Sequence, residues 1–209
     1  MRQEAEERKA LEAERKKVER EEEKYTNEIN KITEQLSSAK DGELEKLKAR
    51  ILELQSQLAD VVIKKEEIST LANGKAGNVY VISNLGSFGE NIFKIGMTRR
   101  LNPQDRVNEL GDASVPFKFD VHSFIFSDDA VGLESKLHNI LNEKRVNKVN
   151  MRKEFFYTTI DELETLVTEI EPTAEFNRTM IAEEYRQSLS STENYSSTFH
   201  YENGDNEEY

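Results

Sequence analysis

The first 72 residues contain no proline and a single glycine, and Glu, Lys, Arg, Gln, Leu and Ala dominate them. A third of the chain without a breaker and so rich in helix formers predicts long α-helices, not a packed globular core. From Leu44 the apolar positions run Leu47, Ile51, Leu54, Leu58, Val61 and, after Lys65, Ile68. These alternate by three and four residues, the spacing of a coiled-coil seam. Earlier, Leu11, Val18, Tyr25, Ile32 and Ala39 keep a seven-residue interval, joined late by Ile29 and Leu36. The two phases do not join, and Asp41-Gly42 sits at the break. A stutter or a turn making a helical hairpin both explain the break.

Asn73-Gly74-Lys75-Ala76-Gly77 ends the pattern and reads as a linker, with glycine suited to a helix C-terminus. A second region is predicted over 78–171. Val79 to Ser83 and Ile92 to Ile95 read as strands, and the intervening Gly-rich loop predicts an antiparallel hairpin. Asn102-Pro103 opens a helix as N-cap and first helical residue. Residues 117–126 alternate as a third strand, 129–143 read as a helix, 154–158 as a short extended segment. Thr159 with Glu162 forms a capping box for a last helix ending near Pro172. The expected class is α+β, a three-stranded, mainly antiparallel central sheet flanked by helices, preceded by a long coiled-coil helix or helical hairpin. Residues 172–209 read as an acidic tail, with one amphipathic helix from Ala174 to Leu189 and disorder after it. Tyr195, Tyr201 and Tyr209 lack periodic apolar partners and read as solvated.

The formal charge of −12 argues against a nucleic-acid partner only until its distribution is read. Residues 161–209 carry 13 acidic and two basic side chains, whereas 73–160 carry 12 basic and 10 acidic. The acidity is mostly a property of the tail. The absence of cysteine removes disulfides and thiolate metal sites. No apolar run approaches the roughly 18 residues of a membrane span. With no signal-peptide pattern either, the expectation is a cytoplasmic protein, leaving open an upstream anchor, since residue 1 already lies inside the helical pattern.

Six short signatures occur in order on the predicted elements: Asn78-Val79-Tyr80; Lys94-Ile95-Gly96-Met97-Thr98; Arg106 in Arg-Val-Asn-Glu-Leu; Glu134 and, as the fifth, His138, both in Leu-Glu-Ser-Lys-Leu-His; and Glu154-Phe155-Phe156. Together they resemble the GIY-YIG endonuclease superfamily, in particular its phage and bacterial branch whose second motif reads K-I-G. The resemblance covers residues 78 to about 165. It implies a metal-dependent endonuclease that hydrolyses DNA phosphodiesters, with Mg²⁺ or Mn²⁺ as cofactor and a coiled coil for oligomerisation, as a homodimer or higher, or for docking. Phage defence is the loosest of its implications.

The residues have their own readings beside the implied ones. Tyr80 in mid-strand is by default a half-buried aromatic; the resemblance makes it a catalytic tyrosine. Lys94 interrupts an apolar strand, and a buried ammonium requires an anion, whether phosphate or carboxylate. It acts as a base only if its pKa is depressed. Gly96 permits close backbone approach or simply ends a strand. Arg106 either pairs with Asp105 or Glu109 on the surface or, by resemblance, grips the scissile phosphate. Thr98, Arg99 and Arg100 add phosphate contacts or merely solvate their loop. Glu134 and His138 share a helix face at i, i+4 spacing. The resemblance makes Glu134 the carboxylate ligand of the cation and places His138 in the site, though a lone helix histidine is more often just hydrogen-bonded. Glu154 either orients a catalytic group or is a strand-edge glutamate, and His122 has the weakest claim. A non-catalytic, nucleic-acid-binding coiled-coil scaffold and an RNA endonuclease are the competing functions.

Overall fold

The computed structural model describes residues 2–36, 41–112 and 115–191. Helices α1 (Arg2–Leu36) and α2 (Asp41–Ala72) lie against each other. The outer cross-links run in opposite senses along the chain: Glu14 of α1 meets Lys64 of α2 at 2.7 Å, and the later Glu28 meets the earlier Arg50 at 2.8 Å, with Glu22 on Lys65 at 2.5 Å between them in α1. The pair is therefore an antiparallel hairpin, which decides between the two readings of the break at Asp41. Leu11 and Val18 of α1 pack with Val61, Ile68 and Leu71 of α2. Each fully buried aliphatic side chain contributes about 1.5–3 kcal/mol. A half-exposed ion pair contributes about 0–1 kcal/mol. The seam holds the hairpin, and the charges set its register. Leu101, from the other region, packs against the same cluster.

The remainder is α+β. Its strands are β1 (Gly77–Ser83), β2 (Ile92–Thr98), β3 (Asp120–Ser127) and β4 (Phe155–Tyr157), in the order β3-β1-β2-β4 with every pairing antiparallel. The central sheet thus has four strands and not three, because Phe155–Tyr157 pairs with Ile92–Lys94 at the open edge of β2. The β1–β2 connection contains one helical turn, α3 (Leu85–Phe88), capped by Asn84, whose side chain accepts from the Ser87 amide. The other helices are α4 (Pro103–Asp112), α5 (Ala130–Ile140), α6 (Ile160–Ile170) and α7 (Glu183–Ser190). Asn102 and Thr159 cap α4 and α6 through the amides of Gln104 and Glu162.

Period-two alternation divides the sheet between two cores. Val79, Val81, Phe93 and Ile95 face Leu137 and Leu141, at the end of α5, and Leu163, Leu166 and Val167 of α6. Tyr80 and Ile82 face Val107 and Leu110 of α4. Beyond α6, the expected helix from Ala174 to Leu189 is replaced by an extended strap and the short α7. Here Asn177 N–H donates to the His122 carbonyl, the Ser123 hydroxyl donates to the Glu175 carbonyl, and Phe176 and Met180 pack on the core. Backbone bonds to β3 take the place of an intrahelical ladder. The expectation of disorder, with its three tyrosines, falls on residues outside the described ones. Among the described residues no helix is long and apolar enough to cross a membrane.

Candidate active site

Tyr80 on β1 lies directly opposite Gly96 on β2. A Cβ at position 96 would stand 2.5 Å from the Tyr80 hydroxyl and 3.1 Å from Lys94 Nζ. Gly96 is therefore what lets the phenol and the ammonium occupy one spot over the sheet. Lys94 is 8% exposed. Its Nζ donates to Glu154 Oε2 at 2.7 Å and lies 5.4 Å from the centroid of the Tyr80 ring. Burial pushes its pKa down, but Tyr80 and Glu154 outweigh it and the net shift is upward. Lys94 therefore stays an ammonium at neutral pH and has no lone pair with which to act as a base.

Strand β4 stops beside Lys94, and Ile95 N–H is taken by the Glu154 carbonyl. Alternation leaves the next outward amide, Met97 N–H, beyond the end of β4, and the Glu134 carboxylate of α5 accepts from it. Burial, reinforced by the Glu154 charge, raises the Glu134 pKa from 4.5 to about 7, against the opposing pull of Lys94, the Met97 amide and Arg99. The group therefore titrates near neutral pH, well above an ordinary glutamate. Arg106 reaches the site from α4; its Nη1 meets Glu109 at 3.3 Å, and its Nε is buried without an acceptor among the described residues.

Tyr80, Lys94, Arg99, Arg106, Glu134 and Glu154 all line one open cleft of about 640 Å³. Phe88, Phe119 and Phe155 form part of its apolar wall. Four of the expected residues stand outside this lining; one is Gly96, which lies in the sheet beneath Tyr80 and Lys94. Thr98 is buried and donates its hydroxyl to Glu7 of α1 at 2.9 Å, while accepting from the Arg100 amide. Arg100 turns to Glu109 at 2.6 Å, beside the hairpin. His138 shares a hydrogen bond between its Nε2 and the Ile95 carbonyl at 3.0 Å, so it braces β2. That bond requires the proton on Nε2, and burial lowers the pKa of the ring, which keeps it neutral. His122, the weakest candidate, is buried between Ser83 Oγ (2.8 Å) and the Asn177 carbonyl (2.7 Å), away from the cleft.

The cleft also has linings that the motifs did not indicate: Glu7, Arg152 and Lys153. Glu7 is one of 18 acidic residues in the first 72, and nothing in its spacing sets it apart. Arg152 and Lys153 lie in a run of five basic residues between 144 and 153, and that charge was the available signal. As for a cation, no three His, Asp or Glu side chains come together among the described residues. Glu134 is the carboxylate best suited to one, since Glu154 is tied to Lys94. A hard ion that keeps most of its own water suits a single such ligand.

Residues 77–171 match the family model of the T5orf172 domain, a domain family associated with nuclease-type proteins. No curated protein and no solved structure matches the chain significantly. T5orf172 is a different domain from GIY-YIG, and no GIY-YIG family matches. The resemblance drawn from the six motifs is corrected accordingly. Residue roles carried over from it now rest on the geometry of the cleft alone. Short strings such as Asn-Val-Tyr and Lys-Ile-Gly mislead because they encode a local need, a small residue opposite a buried tyrosine, that is not peculiar to one family.

Proposed function

We propose that this chain is a nuclease that hydrolyses DNA phosphodiesters in the cleft bounded by Tyr80, Lys94, Arg106 and Glu134. The observation that carries the reading is the convergence of the Arg106 guanidinium, the buried Lys94 ammonium and the Glu134 carboxyl, whose pKa is raised to about 7, in one open cleft. The association of the T5orf172 domain with nuclease-type proteins supports it. Arg106 binds the scissile phosphate and neutralises the charge that develops as water attacks. Lys94 holds the Tyr80 hydroxyl in place, and Tyr80 orients the attacking water. Glu134, whose pKa of about 7 lets it titrate near neutral pH, is the group able to accept a proton or to hold a divalent cation. Mg²⁺ bound at Glu134 would supply Lewis-acid stabilisation of the leaving oxygen. Glu154 keeps Lys94 charged and positioned, and His138 fixes the strand beneath them.

The test is plasmid nicking in Mg²⁺ or Mn²⁺ by the full chain beside Glu134→Gln and Arg106→Ala, with a structured RNA run in parallel. Loss of one such group lowers the rate by about 10²–10³-fold. Equal nicking by all three proteins, or by none, removes the hydrolase reading. Retained duplex binding without cleavage would leave the binding scaffold in its place.

A further inference from the structure

The connection from α5 to β4 is a loop whose shape is fixed from within. Arg145 is buried; its Nη1 donates to the Met151 carbonyl at 3.2 Å, its Nε donates to Asn142 Oδ1 at 3.2 Å, and its guanidinium lies 5.0 Å from the Phe156 ring centroid. Asn147 Oδ1 accepts from the amides of Val149 and Asn150, and Asn150 Oδ1 accepts from the amide of Arg152. A second turn is closed by Lys153 N–H on the Asn150 carbonyl. A loop held this firmly could have folded its apolar side chains under itself. Instead it keeps Val149 96% and Met151 65% exposed. Lys148 precedes them and Arg152 and Lys153 follow, all exposed and with no ion pair among the described residues. Arg152 and Lys153 also line the cleft.

We propose that this loop binds double-stranded DNA, inserting Met151 and Val149 between base steps while Lys148, Arg152 and Lys153 hold the flanking phosphates. Apolar wedges flanked by cations are how proteins unstack and bend a duplex from its minor groove. Cations set among apolar side chains also suit an anionic membrane. Two points favour the duplex: two apolar side chains bury too little area for membrane anchoring, and two of the cations continue directly into the cleft. The inference rests on the nuclease reading for its choice of DNA, but its test requires no cleavage.

The experiment uses the full-length Glu134→Gln protein and a duplex carrying 2-aminopurine, which brightens when unstacked. Binding should raise the fluorescence several-fold. The double substitution Val149→Ser and Met151→Ser, at positions where exposure makes misfolding avoidable, should abolish that rise while leaving affinity within about threefold. Replacing Arg152 and Lys153 by Ala should weaken binding about tenfold and reduce the slope of log affinity against log salt by about two. A fluorescence rise that survives the double substitution overturns the wedge, and so does the absence of duplex binding. Sedimentation with anionic phospholipid vesicles that is lost in the same double variant would overturn it in favour of a membrane. A fluorescence rise unchanged in the double variant, together with wild-type plasmid cleavage by the same two substitutions in a chain that retains Glu134, sinks this inference and spares the nuclease. Unstacking by a wild-type chain that never cleaves does the reverse.

Discussion

Two residues of the cleft make predictions that do not require the substrate. Gly96 is the first. Alanine there would place a Cβ 2.5 Å from the Tyr80 hydroxyl and 2.7 Å from its Cζ, in a sheet where the two residues are directly paired. Overpacking of this kind costs about 1–3 kcal/mol. Gly96→Ala should therefore lower the urea midpoint, and Tyr80→Phe, which removes the closest atom, should partly rescue it. An additive double-mutant cycle would show that the contact does not set the requirement for glycine. Glu134 is the second. In the folded chain it keeps its proton up to about pH 7, whereas an ordinary glutamate releases it near 4.5. Between those values the folded state binds more protons than the unfolded one, so this group's contribution to stability falls as pH rises from about 4.5 through 7. Thermal melts should find Glu134→Gln more stable than wild type at pH 8, with the difference vanishing towards pH 4. Mg²⁺ should raise the wild-type midpoint at pH 8 and leave that of the Gln variant unmoved. An equal response of both proteins would place the cation elsewhere.

At the scale of elements, the contact least legible in the sequence is the one between α1 and β2. The hairpin itself could be read to within one alternative, because the apolar spacing shows where seams lie but not whether the second strand of the seam belongs to the same chain. The inter-helix ion pairs decide that, and they join residues from 22 to 50 positions apart. The strands and helix caps of 78–171 were legible because alternation and capping are local. The strap over 174–182 was not, since its backbone is held by β3, 55 residues away at His122. Glu7 was invisible for the same reason: its role depends on Thr98, 91 positions on. Glu7 is buried with the Thr98 hydroxyl, and loss of one partner from a buried pair costs about 1–3 kcal/mol. Glu7→Ala should destabilise the chain by that amount in urea melts, and Thr98→Val in the same background should add little. If Glu7→Ala is silent, the hairpin is held here by other contacts, the Leu101 packing among them.

Across the whole molecule, the charges are separated in a way that bears on the nucleic-acid substrate proposed above. The stretch 73–160 carries a small positive excess, while residues 161–209 carry most of the chain's −12. Part of that acidity stands close to the cleft: Tyr185 of α7 packs edge-on against Phe117 at 5.3 Å, Glu184 pairs with Lys118 at 3.1 Å, and the next residue, Phe119, lines the cleft wall. A phosphate backbone approaching Arg106 therefore meets both the cations of the 144–153 loop and the field of the C-terminal acids. Residues 192–209 add five acidic and no basic side chains beyond α7. Repulsion between exposed charges falls off over about 10 Å at 0.1 M salt and about 30 Å at 0.01 M. It acts chiefly on the rate of encounter. Ending the chain after Ser191 should accordingly raise the association rate with duplex DNA several-fold at 10–20 mM salt, a range set by the ~30 Å screening length, and the gain should disappear above about 0.3 M. Stopped-flow anisotropy over a salt series measures it. An acceleration that persists at high salt would mean that the C-terminal residues block the cleft by occupying it, and no acceleration at low salt would mean that their charge never reaches the approaching duplex.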